Sequence, residues 1–132
     1  MSTTPARPSK ALFWTGWVLS VLPAGLLAFA ATNLVLKNPD FVKELAKHGY
    51  AETALVPLGA VTLTGILLYL IPHTSVLGAI VLTGYLGGAV STHVRAGDPL
   101  GNILAPAIFG AVLWLGLVLR DSRVRSVLPI RL

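Results

Sequence analysis

The stretch SVLGAIVLTGYLGGAVST, Ser75–Thr92, carries no Asp, Glu, Lys or Arg. Its length of about 18 residues is what a helix needs to cross a hydrocarbon core of about 30 Å at about 1.5 Å per residue. In water such a run is an aggregation hazard. In lipid it is a transmembrane helix, because a helix satisfies its own backbone hydrogen bonds. Three more uncharged apolar runs surround it: Ala11–Leu36 and Ala54–Ile71 before it, and Leu100–Leu119 after it. The chain therefore reads as all-α, a polytopic four-helix transmembrane bundle forming a single domain over residues 1–132. The segments between the spans are too short to fold as a soluble domain.

Composition agrees. Hydrophobic residues make up 55% of the chain and charged residues 11%, where a soluble domain carries about 25% charged residues. The absence of cysteine excludes disulfides, thiol redox chemistry, iron–sulfur clusters and cysteine-ligated zinc. The net charge of +5 does not point to nucleic acid, because the basic residues flank the spans and face lipid head groups.

Four spans place both termini on one side. That side holds Arg7, Lys10, Arg120, Arg123, Arg125 and Arg131 against Asp121. The opposite side holds Lys37, Lys43, Lys47 and Arg95, balanced by Asp40, Glu44, Glu52 and Asp98. The positive-inside rule then makes the termini cytoplasmic and the location a bacterial inner membrane. Ala28-Phe29-Ala30 resembles a signal-peptidase site, but the apolar run continues to Leu36, so an uncleaved first span is expected.

The connecting segments have their own signals. Asn38-Pro39 is a helix start, with Asn as the cap and Pro in the first turn. Phe41, Val42, Leu45 and Ala46 fall on one face and Asp40, Lys43, Glu44 and Lys47 on the other, and Gly49 is placed to end the helix. This is a short amphipathic helix at the outer surface, as an interfacial anchor or as the lid of a cavity. Pro72-His73-Thr74 joins the second and third spans in a tight hairpin. Asp98-Pro99 repeats the Asn38-Pro39 pattern before the fourth span, with Asp98 as its cap.

Candidate chemistry gathers at the outer helix ends, where Asn33, Glu52, His93, Arg95, Asp98 and Asn102 meet in an antiparallel bundle. His93 can bond a loop carbonyl, or offer a quinone a hydrogen bond or a proton. Arg95 and Asp98 are close enough for an ion pair, a loop clamp in the plain reading; in the functional one Arg95 holds an anionic head group beside His93. Asn102 is an amide in hydrocarbon and wants a partner, from another helix or from a ligand. Tyr85 lies below His93 on the same helix. Gly84 and Gly88 form a GxxxG pair, read as helix packing inside the bundle or at a dimer face. No catalytic residue is assigned. No metal is expected, because His73 and His93 sit at opposite ends of one span.

The run Leu82-Thr83-Gly84-Tyr85-Leu86-Gly87-Gly88-Ala89-Val90-Ser91-Thr92-His93-Val94-Arg95-Ala96-Gly97-Asp98-Pro99 resembles the DoxX-like family of small bacterial membrane proteins. The Ile71-Pro72 turn, the Leu119-Arg120-Asp121 ending and His48-Gly49-Tyr50 are similar as well. The resemblance implies a four-helix membrane bundle with cytoplasmic termini. The family takes its name from a subunit of a thiosulfate:quinone oxidoreductase, and some relatives are linked to redox or oxidative-stress systems. The matching positions here are Tyr85, His93, Arg95, Asp98 and Asn102, and the family transfers no assigned catalytic role to them.

The first expectation is a redox-accessory membrane protein that binds a quinone or a lipid through Tyr85, His93, Arg95 and Asn102. The alternative is a structural or chaperone-like helper, packing with a second copy or a membrane partner through Gly84 and Gly88. A small oligomeric transporter ranks last, because no charged residue lies mid-span. An enzyme acting alone is not expected, for want of a nucleophile, a metal set or a cofactor motif.

Overall fold

The computed structural model describes residues 9–128, and every regular element among them is a helix. Ser9 caps α1 (Lys10–Val35) by accepting a hydrogen bond from the Leu12 amide. The amphipathic α2 (Pro39–Lys47) follows, and a 3₁₀ turn (Glu52–Ala54) leads into α3 (Leu55–Leu70). Next come α4 (Ser75–Ala96), α5 (Leu100–Arg120) and the short α6 (Ser122–Val127). The segments Lys10–Val35, Glu52–Leu70, Ser75–Ala96 and Leu100–Arg120 are each long and apolar enough to cross a membrane. Leu22, Leu26, Phe29, Leu67, Leu77 and Ile108 are exposed on the outside of the bundle, where lipid solvates them.

α1 and α4 each pack against both α3 and α5, so the long helices close into an antiparallel ring in the order α1, α3, α4, α5. Asn38 caps α2 as expected, its side chain accepting from the Asp40 amide at 3.0 Å. Pro72 forces Ile71 into extended backbone, and α3 stops there. The third span runs one turn further than expected, to Ala96, so His93 and Arg95 belong to helix rather than loop. α6 occupies part of what reads in the sequence as a tail. Arg7 and Arg131, counted for orientation, lie outside the described residues.

Two expectations are corrected. Asp98 does not cap the fourth span; α5 begins after Pro99 with no side-chain cap. Nor do Gly84 and Gly88 pack helices within the bundle, since a methyl group at either would meet nothing within 4 Å. The tight crossings lie elsewhere. A Cβ at Gly78 would stand 2.1 Å from the Tyr69 backbone nitrogen, one at Gly16 2.7 Å from that of Arg120, and one at Gly116 2.7 Å from Ser20 Oγ.

These contacts surround Arg120, which the charge pattern marks only as a flanking cation. It is 8% exposed. Its Nε donates to Ser20 Oγ at 3.0 Å and its Nη2 to the Tyr69 carbonyl oxygen at 2.6 Å. The guanidinium also lies 4.3 Å from the ring centre of Trp17 and 4.8 Å from that of Tyr69, favourable cation–π positions. Ser20 Oγ donates onward to the Gly16 carbonyl, and the Tyr69 hydroxyl reaches the Leu113 carbonyl at 2.5 Å. Three helices, α1, α3 and α5, are tied at the end that carries the termini.

Alanine at Gly78 must push apart two backbones and is expected to destabilise by about 1–3 kcal/mol or more. Alanine at Gly84 has open space and a better helix former, so it is expected to be neutral or slightly stabilising. Thermal unfolding in detergent, followed by circular dichroism, checks the contrast; equal melting temperatures would contradict the packing described.

Candidate functional site

The site lies at the far end of the bundle, opposite the termini, and two glycine turns build it. Gly97 has φ of 69° and Gly49 φ of 85°, the left-handed conformation that ends a helix at little cost for glycine. Past Gly97, the Asp98 amide donates back to the His93 carbonyl at 3.1 Å. This folds Asp98 over the last turn of α4. Past Gly49, the Tyr50 amide donates to the Leu45 carbonyl at 3.0 Å, which brings the end of α2 to the same place.

Asp98 Oδ2 meets two histidines there, His93 Nδ1 at 2.5 Å and His48 Nε2 at 2.7 Å. The imidazoles stand edge to face, with ring centres 5.1 Å apart. His48 is the more enclosed, its side chain 9% exposed against 23% for Asp98 and 25% for His93. Its Nδ1 lies 2.8 Å from the Glu44 carbonyl oxygen. Both ring nitrogens of His48 thus face acceptors, an arrangement that the imidazolium satisfies with two N–H donors. Beside this cluster the Tyr50 hydroxyl and Thr92 Oγ1 are 2.7 Å apart, fastening the chain after α2 to α4.

Two cavities meet beneath the cluster. One, of about 210 Å³, is lined by His48, Tyr50, Leu58, Tyr85, Gly88 and His93 among others. The second, of about 300 Å³, is lined by Leu27, Tyr85, His93, Asn102, Pro106 and Phe109 among others. Tyr85, Ala89 and His93 line both. A larger cavity of about 460 Å³ lies at the termini end beside α6. Its charged residues, Asp121 and Arg123, already pair at 3.2 Å, so its size does not make it the better candidate.

The structure brings together Tyr85, His93 and Asn102 of the expected set, with Asp98 directly behind His93. Arg95 does not join them. It is exposed on the last turn of α4, lines neither cavity, and its expected partner Asp98 is taken by the histidines. In the sequence His48 enters only through the family-like His48-Gly49-Tyr50 segment and not as a site residue, because it falls at the polar end of α2. The signal that could have found it is Gly49, whose chain reversal aims the preceding residue back at the bundle. The expectation of no metal rested on His73 and His93, and it overlooked this third histidine.

Fold and site together define a small integral membrane protein, a four-helix bundle with a polar cluster above paired apolar cavities. The family model described as the DoxX-like family matches residues 18–116, and the chain belongs to that family. No curated protein and no solved structure matches it.

The electrostatics set a pH window. The hydrogen bond to Asp98, then that to the Glu44 carbonyl, holds the His48 imidazole above its ordinary value of 6.5. His93, then His48, holds the Asp98 carboxyl below its ordinary 3.8. The histidine's contribution is complete below 6.5 and is lost as pH rises through the raised value. The carboxylate's contribution is complete above 3.8 and is lost as pH falls through the lowered value. Attachment of α2 is therefore expected to be tightest between about pH 4 and 6.5. Hydrogen exchange of the α2 amides, corrected for intrinsic rates, should show greatest protection in that window. Protection that is flat with pH, or unchanged in Asp98→Asn, would count against it.

Proposed function

We propose that this protein binds a membrane-dissolved amphiphile with a hydrogen-bonding head, of the quinone or quinol type, at the far end of the bundle. It serves there as an accessory to membrane redox processes rather than as an enzyme acting alone. The observation that carries this reading is the position of His93. It lines both cavities while Asp98 engages its Nδ1. With Nδ1–H donated to the carboxylate, Nε2 is left to accept from a quinol hydroxyl. Tyr85 lines the same space, and Leu27, Leu58 and Phe109 supply apolar walls for a ring or a tail. A mostly apolar pocket with a few convergent polar groups is the usual form of a small-molecule site.

The protein sits in this reading in the bacterial cytoplasmic membrane with both termini cytoplasmic. The basic residues at the termini end, Lys10, Arg123 and Arg125, support that orientation. A second reading, packing against a second copy or a membrane partner, draws support from the open face at Gly84, Gly87 and Gly88.

The test is mass spectrometry of small molecules that co-purify in mild detergent with the wild type, His93→Ala and Gly88→Leu. Gly88 has open space around it and lines the smaller cavity, so leucine there should fill the cavity without opening the fold. A quinone or a defined lipid is expected in the wild type and at least about tenfold less in both variants. Bulk lipid alone in all three would overturn the pocket and favour the packing reading, which cross-linking of Gly84→Cys in membranes would then report.

A further inference from the structure

The cluster above the cavities has a property that an amphiphile site does not require. His48, Asp98 and His93 each offer one potential ligand atom, all within 4.8 Å of one another, with Asp98 Oδ2 close to both His48 Nε2 and His93 Nδ1. They come from two separate pieces of chain: the end of α2, and the last turn of α4 with the turn that follows it. The Glu44 carbonyl oxygen, 2.8 Å from His48 Nδ1, claims that nitrogen as an N–H donor. This leaves Nε2 as the basic nitrogen of the ring, and a backbone carbonyl orienting a histidine in this way is the usual support behind a metal ligand. Nε2 then faces a carboxylate oxygen at 2.7 Å, lone pair against lone pair, unless a positive centre lies between them. A proton fills that need in the metal-free protein, and a metal ion can fill it as well.

We propose that His48, Asp98 and His93 form a binding site for a divalent transition-metal ion, held by two imidazoles and one carboxylate. The donor set selects the metal class. Imidazole nitrogen with a single carboxylate suits Zn²⁺, Fe²⁺ or Co²⁺, whereas Ca²⁺ and Mg²⁺ want sets of oxygen donors. Three protein ligands leave coordination positions open, as sites that accept an outside ligand do. His48 and His93 both line the smaller cavity, so an outside ligand would arrive from there. Ligand atoms about 2.0–2.2 Å from an ion stand about 3–3.5 Å apart. The separations of 2.5 and 2.7 Å must therefore widen by about 0.3–1 Å on binding, and the two histidine nitrogens, within 4.8 Å of each other, must draw together around the ion. The Glu44 carboxylate, 3.9 Å from His48 Nδ1, is the nearest further acidic group.

The metal site does not depend on the amphiphile reading, because His48 and Asp98 carry it and only His93 is shared. The test uses tag-free, full-length protein in detergent, stripped with a chelator and titrated with Co²⁺ and then Zn²⁺. One equivalent of Co²⁺ is expected, with visible ligand-field bands, displaced by one equivalent of Zn²⁺. Affinity should fall by more than the roughly 10–100-fold that supporting partners carry in His48→Gln and in Asp98→Asn. It should be retained in His73→Gln, which removes the remaining histidine of the chain, at the other end. Circular dichroism of the metal-free variants guards against loss of fold, and Asp98→Glu, which keeps a carboxylate, should restore binding in part. The proposal is overturned by absent bands in the wild type, or by an affinity that is the same in folded His48→Gln and Asp98→Asn. Gly88→Leu separates the two readings: loss of the amphiphile with metal retained upholds both as separate sites, whereas metal binding by a wild type that carries only bulk lipid upholds the metal site alone.

Discussion

A guanidinium enclosed by helices, with no carboxylate of the described residues paired to it, is the constraint on which this bundle depends. Taking a charge out of water is expensive unless its hydrogen bonds and its field are satisfied locally. Arg120 meets that demand with a serine hydroxyl, a backbone carbonyl and two aromatic faces, drawn from α1 and α3. The groups can converge only if the helices come very close, and so Gly16 and Gly116 sit at the crossing of α1 and α5. Tyr69, which lends both its carbonyl and its ring, is held from behind by Gly78, and this fixes the start of α4 as well. One cation thereby specifies which residues of four helices lie level with one another.

Once that level is set, the far end follows from chain length and turn geometry. The loop of Gly97, Asp98 and Pro99 is too short to let α4 and α5 part, and its left-handed glycine lays Asp98 on His93. α2 has no buried residue of its own, so packing alone holds it weakly. Its place is set by Asn38, which caps it and donates to Asn33, and by His48 and Tyr50, which reach across to Asp98 and Thr92. Polar contacts thus do at this end what close packing does at the other.

The sequence made the spans, the hairpin at Pro72 and the cap at Asn38 legible, because each depends on a local rule: uninterrupted hydrophobicity, proline geometry, an N-terminal oxygen. Tyr85, His93 and Asn102 were legible as a group because antiparallel spans bring their ends together. Arg120 and His48 were not, for one shared reason. Each sits at a helix end, where a polar residue ordinarily faces water or head groups, and only the three-dimensional approach of other helices turns it inward. Gly84 and Gly88 misled in the opposite direction. Their spacing matches a packing motif, yet neither touches another helix, Gly88 bordering the smaller cavity instead, and the glycines that do pack, at 16, 59, 65, 78 and 116, follow no such spacing.

The two ends differ in mechanical character. Helices gripped at one end and linked by turns and side-chain bonds at the other behave as levers with a common fulcrum. α4 is about 33 Å long at about 1.5 Å per residue, so a tilt of only about 5° about its gripped end moves its tip by roughly 3 Å. The smaller cavity, bordered by α2 rather than closed by the short α4–α5 turn, lies at the end of these levers where an opening needs the least deformation of the core.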